Sequence, residues 1–145
     1  MKIEQLSLFL ENKPGHLASA CRALGDAGIN IATASLADTE QFGILRLIVE
    51  DTARARQVLE DGGFVVKVSE VVATAVADRP GGMAEILDIL QTGEINIEYM
   101  YAFTSRRSNE AVLVFRMSDP DKAISVLAEK GKNILDRVTL FANNA

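Results

Sequence analysis

The sequence predicts an α+β fold made of two β-α-β-β-α-β units with antiparallel sheets. Three observations lead there. First, Asn12-Lys13-Pro14-Gly15 recurs as Asp78-Arg79-Pro80-Gly81, with Pro14 and Pro80 66 positions apart. The same spacing carries Gly28-Ile29-Asn30-Ile31 onto Glu94-Ile95-Asn96-Ile97. Two distant marks in one register indicate an internal duplication. Second, Leu6, Leu8 and Leu10 alternate with other residues before the first Pro-Gly, as Val72, Thr74 and Val76 do before the second. That is the period of a half-buried strand. Third, the spacing after each Pro-Gly becomes helical: Leu17, Cys21 and Leu24, then Met83, Ile86, Leu87 and Leu90.

Each element follows in order. Residues 3–10 form the first strand. A helix starts at Pro14 and stops at Asp26-Ala27-Gly28, with glycine where a left-handed cap sits. Residues 29–36 are the second strand, 38–41 a polar turn and 44–49 the third strand, with Leu45, Leu47 and Val49 on one face. Asp51-Thr52 opens a helix holding Val58 and Leu59, stopped by Gly62-Gly63, and 64–68 make the fourth strand. The second half repeats this order. Residues 95–104 are a strand, 105–109 a longer hairpin, and Leu113, Phe115 and Met117 repeat the buried face. Asp119-Pro120 opens a helix, Leu127 matches Leu59, Gly131 matches Gly63, and 134–141 contain the last strand. Each half has the ferredoxin-like order. The expected domains are 1–69 and 70–145, with only Ser69-Glu70 between the fourth strand and the fifth.

Composition excludes several classes. At 48% hydrophobic residues the chain of 145 has material for a core, so disorder is not expected. A net charge of −5 argues against a nucleic-acid partner, because no basic stripe exists to displace counterions. Arg106-Arg107 reads as a charged hairpin tip. One cysteine makes no internal disulfide, which suits a reducing cytoplasm. No signal peptide or long apolar run appears, so no membrane role is expected.

The Pro-Gly turns are the candidate sites. Proline suits a first helical position, and glycine lets a ligand approach the backbone. The helix amides and dipole above such a turn favour an anion such as a carboxylate. Asn12 and Asp78 precede the turns and fit helix capping or ligand contact equally. Asn30 and Asn96 fit a strand-start hydrogen bond or a ligand contact. Tyr99 and Tyr101 share one side of a strand apolar on both faces, which reads as buried on both sides. They are candidates to wall a crevice in the second half, which makes that half the favoured binding site, or to join a homodimer interface. His16, the one histidine, reads as a solvated helix start rather than a catalyst, and Cys21 as a small core residue. No metal site, catalytic dyad or nucleotide-binding glycine pattern is present, so no cofactor and no enzyme activity are expected.

With those motifs repeated in register, the whole chain resembles the tandem ACT-domain proteins. The resemblance implies a regulatory module that binds a small ligand, typically an amino acid, at interfaces between paired modules. It implies ligand contacts from Asn12, Pro14, Gly15, His16, Leu17, Asn30 and Ile31 in the first half. In the second half it implies Asp78, Pro80, Gly81, Gly82, Met83, Asn96 and Ile97. Some serine-binding members carry histidine where Leu10 and Val76 stand here, so that mode of serine recognition is not expected. Glu94 in place of Gly28, and Asp78 in place of Asn12, make the two halves inequivalent. The expected function is an amino-acid sensor without a catalytic domain, acting on a partner such as an enzyme of amino-acid metabolism. A ligand-free interaction module and an enzyme with an interface site are the alternatives.

Overall fold

The computed structural model describes residues 1–38, 41–104 and 109–144. Thr39-Glu40 of the polar turn, and the hairpin tip at 105–108 with Arg106-Arg107, lie outside the described residues. The chain runs β1 (Ile3–Glu11), α1 (His16–Asp26), β2 (Ile31–Asp38), β3 (Phe42–Val49), α2 (Thr52–Asp61) and β4 (Val65–Ala77). It continues through α3 (Gly82–Thr92), β5 (Ile97–Thr104), β6 (Glu110–Met117), α4 (Pro120–Glu129), β7 (Asn133–Leu135) and α5 (Arg137–Asn144). Two compact units result: a first module, Glu4–Ser69, and a second, Glu70–Ala145 with Met1–Ile3.

In the first module β1 lies between β3 and β4, and β2 lies outside β3. Antiparallel register sets Leu8 opposite Leu45 and Leu45 opposite Leu36. At the turn end of the sheet, Leu10 faces Gly43, and Gly43 faces Asp38. The leucines of one strand face pack under α1 and α2 with Ala20, Leu24, Ala55 and Leu59. The second module repeats the arrangement. Val72 pairs with Phe115, Phe115 pairs with Met100, and β7 pairs with β4. Its core gathers Val72, Ile86, Leu90, Phe115, Leu127 and Ile134. Even the irregularities repeat: the β2–β3 register shifts between Ile31 and Thr33, and the β5–β6 register between Ile97 and Tyr99.

All four repeat helices leave by one motif. Past the end of α1, Gly28 takes φ 74°, its N–H donates to Gly25 and that of Ile29 to Leu24. Gly63 and Phe64, Glu94 and Ile95, and Gly131 and Lys132 repeat the pair of bonds. Glu94 is the one non-glycine described at positive φ, 56°, a conformation that L residues adopt with strain. This exit explains why β2 and β5 begin at Ile31 and Ile97, later than alternation predicts. The Ile29 and Ile95 N–H groups are committed to the helix ends and cannot join a ladder.

The structure corrects three expectations. Ser69-Glu70 is no break, because β4 runs unbroken from Val65 to Ala77. Pro14 and Pro80 are not first helical residues; each precedes the glycine that caps the helix, Gly15 or Gly81. The last segment is a strand only over Asn133–Leu135, and residues after it form α5. The Asp136 side chain causes that switch. It accepts the Thr139 N–H at 2.7 Å, while its carbonyl accepts from Leu140. This bond, with Thr139, holds the Asp136 carboxyl below the usual carboxylate range. A lowered folded pKa stabilises α5 above the unfolded value and is lost as pH falls through the folded one. The Thr139 amide resonance is therefore expected to move toward its disordered position in acid, below the ordinary aspartate range. In Asp136→Ala it is expected there already at neutral pH.

Candidate functional site

The two Pro-Gly turns share their backbone hydrogen bonds. Asn12 N–H donates to Gln41 and Asp78 N–H to Asn109, at 3.4 and 2.9 Å. Lys13 N–H donates to Glu11 and Arg79 N–H to Ala77, folding each chain back tightly. Gly15 at φ 88° and Gly81 at φ 85° then turn it into the helix. Added Cβ atoms at Gly15 and Gly81 would meet nothing within 4 Å, so these glycines serve the left-handed turn and leave open space above it. A branched side chain there would strain the turn as well as fill that space.

Asn12 and Asp78 are not caps. Neither α1 nor α3 receives a side-chain cap hydrogen bond. The second and third amides of α1, at Leu17 and Ala18, have no acceptor within the helix, and their partial positive charge remains at the turn.

A cavity of about 420 Å³ opens over the first turn. It is lined by Leu10, Glu11, Asn12, Lys13, Pro14, Gly15, Leu17, Leu36, Asp38 and Gly43. Three strand ends and one helix start meet there. Lys13 Nζ sits 2.8 Å from Glu11, and this ammonium holds the Glu11 carboxyl below its ordinary range. Asp38 makes no salt bridge among the described residues. The lining thus combines apolar walls, an unbalanced carboxylate and helix amides.

The expected contacts divide accordingly. Asn12, Pro14, Gly15 and Leu17 line the cavity. His16 does not. It is half-buried rather than solvated, with Nδ1 accepting the Glu11 N–H at 2.8 Å and its ring stacked on Phe64 at 5.3 Å. It braces the turn from beneath. Asn30 and Ile31 stand at the opposite end of β2, an eight-residue strand about 23 Å long. One module therefore cannot bring them to a ligand above Gly15. Ile31 and Ile97 also pack against their own cores.

In the second module Asp78, Pro80, Gly81 and Met83 keep equivalent exposed places at the turn. Gly82 is buried, and a Cβ on it would lie 2.5 Å from the Ala77 carbonyl oxygen, so it serves packing. Asn96 lies at the far end of β5, its backbone paired with Ser118 through N–H to Oγ and O to N–H contacts of 3.2 and 3.0 Å. Tyr99 and Tyr101 pair with Arg116 and Val114, while Met100 and Ala102 pair with the core residues Phe115 and Leu113. Strand alternation thus turns the tyrosines to the sheet face away from the helices. They do not wall the crevice above Gly81. Leu10, Leu36, Asp38 and Gly43 are the cavity-lining residues outside the turn motif, which the motifs missed. Their signal is strand alternation, which puts Leu36 and Asp38 on the face of Leu10.

The family model for an ACT domain pair matches residues 1–142. The chain belongs to this family. Its structure is similar to that of protein BT0572 from Bacteroides thetaiotaomicron, at 39% identity and TM-score 0.91, covering 97% of this chain and 96% of that one. The ligand-free regulatory subunit of aspartate kinase from Thermus thermophilus is more distant, at 16% identity and TM-score 0.62 over 87% of this chain and 91% of that one. The aspartate kinase of Clostridium acetobutylicum matches at 13% identity and TM-score 0.57 over 88% of this chain but 32% of that one. These two likenesses concern the fold. No curated protein matches the sequence. Among the described residues of this ACT pair, no helix is long and apolar enough to cross a membrane, and no group of three or more His, Cys, Asp or Glu is placed to hold a metal ion.

Proposed function

We propose that this ACT domain pair is a regulatory sensor that binds an amino acid over the first Pro-Gly turn and acts on a partner protein. The cavity over that turn carries the reading, because it joins an anion-favouring helix start to apolar walls and a carboxylate. The ligand carboxylate takes the amides near Gly15. A contact from Asn30 needs a module other than its own, and the reading includes a homodimer. The second turn, around Gly81, is the weaker site. The regulated partner is an enzyme of amino-acid metabolism in the cytoplasm, and the modules divide as 1–69 and 70–145.

A ligand of roughly ten heavy atoms at about 0.5–0.8 kcal/mol per atom binds with roughly −5 to −8 kcal/mol. The dissociation constant is then about 0.2 mM to 1 μM. At 100 times that constant the fold gains about 2.7 kcal/mol. A thermal-shift screen of the twenty amino acids on the full chain is expected to find at least one that raises the melting temperature, with calorimetry confirming the constant. A well-folded protein that none of them stabilises at millimolar concentration would leave the bare interaction module as the better reading. Turnover of a ligand would favour an enzyme.

A further inference from the structure

The walls of the cavity over the first turn specify the ligand further, on the assumption that an amino acid binds there. We infer that the site selects an α-amino acid with an apolar side chain, of the leucine, isoleucine or valine class, and holds its ammonium with Asp38.

Leu17 and Leu36 border the cavity and remain 38% and 53% exposed, an unfavourable state for large aliphatic groups. Leu10 and Pro14 extend the same apolar surface. An apolar ligand side chain covers these groups and releases their water. A polar one set against Leu17 and Leu36 would lose its own hydration there, since neither leucine offers a hydrogen-bond partner.

Gly43 keeps the space open. A Cβ at that position would approach Leu36 Cδ1 to 3.3 Å and Leu10 Cβ to 4.0 Å. The charges point the same way. Glu11 neutralises Lys13, so Asp38 leaves the lining net negative. That balance attracts an ammonium and opposes a side-chain carboxylate. Asp38 shares a cross-strand row with Gly43 and Leu10, which places it beside the apolar wall.

The repeat supplies an internal comparison. Ala102, Thr104 and Ala111 stand where the first half has Leu36, Asp38 and Gly43. The second turn thus lacks the Leu36 side chain, the carboxylate at the Asp38 position and the glycine, and its own carboxylate, Asp78, stands instead where the first half has Asn12. The selectivity belongs to the first turn.

Calorimetric titration of the full chain tests this with leucine, isoleucine and valine against alanine, serine, aspartate and lysine. The branched aliphatic amino acids are expected to bind at least about tenfold more tightly than alanine or serine, since a few methylenes in an apolar pocket discriminate on that scale. Leu36→Ser changes an exposed side chain, with folding checked by circular dichroism. It is expected to weaken leucine about tenfold while leaving alanine nearly unchanged. Asp38→Asn is expected to weaken leucine about tenfold and not to weaken 4-methylpentanoate, which lacks the ammonium. Tightest binding by serine, aspartate or lysine would overturn the inference while keeping an amino-acid sensor. Unchanged leucine binding by Asp38→Asn would overturn the role of Asp38. Binding by no amino acid at all would overturn the parent reading and this inference with it.

Discussion

Phe115→Ala is expected to destabilise the protein by about 3–5 kcal/mol, the usual loss for deleting a buried aromatic side chain. Phe115 is fully buried on β6, between Val72 of β4 and Met100 of β5. It belongs to the second core, with Ile86 and Leu90 of α3 and Leu127 of α4. No neighbouring aromatic residue belongs to that cluster to refill the volume. Leu47 stands at the equivalent place in the first module, opposite Leu6, and is likewise fully buried. Denaturant unfolding of the two variants gives the comparison. Leu47→Ala is expected to cost about 2–5 kcal/mol. A loss below 1 kcal/mol for Phe115→Ala would contradict this packing.

Gly82→Ala is expected to cost about 2–3 kcal/mol, the upper part of the usual range for overpacking. A single methyl group does this because the obstacle is a main-chain atom. The added Cβ would sit 2.5 Å from the Ala77 carbonyl oxygen, and β4 holds that carbonyl in place. His16 occupies the equivalent position of the first repeat and carries a full side chain, so the duplicated turns have diverged here. His16→Ala is accordingly expected to lose only the Glu11 hydrogen bond and the Phe64 stacking, about 1–2 kcal/mol together. Chemical denaturation of both variants should give Gly82→Ala the larger shift in midpoint. The reverse order would contradict the close packing of α3 on Ala77.

The duplication was legible because each repeated residue answers a local backbone need. Gly28, Gly63 and Gly131 occupy left-handed helix exits, and Asp51 and Asp119 cap the helices that follow, accepting from Arg54 and Lys122. Such needs involve neighbours in sequence. The cavity was only half legible for the opposite reason. Its turn is a local motif, but Leu36, Asp38 and Gly43 reach Leu10 only through the register of three strands. The motif also grouped Asn30 with Gly15, although β2 runs its full length between the ends where they lie. At the C-terminus, apolar residues 134–141 resembled a strand. The short-range bond from Thr139 to Asp136 made most of it a helix instead.

The most direct test of binding at the first turn is a two-dimensional NMR titration of the full, isotope-labelled chain with the amino acid that most raises its melting temperature. The amide resonances of Gly15, Leu17, Leu36 and Gly43 are expected to move together and saturate with one dissociation constant. Those of Gly81 and Met83 are expected to move less. Saturating shifts confined to other surfaces, with the Gly15 and Leu17 amides unmoved, would contradict a ligand site at the first Pro-Gly turn.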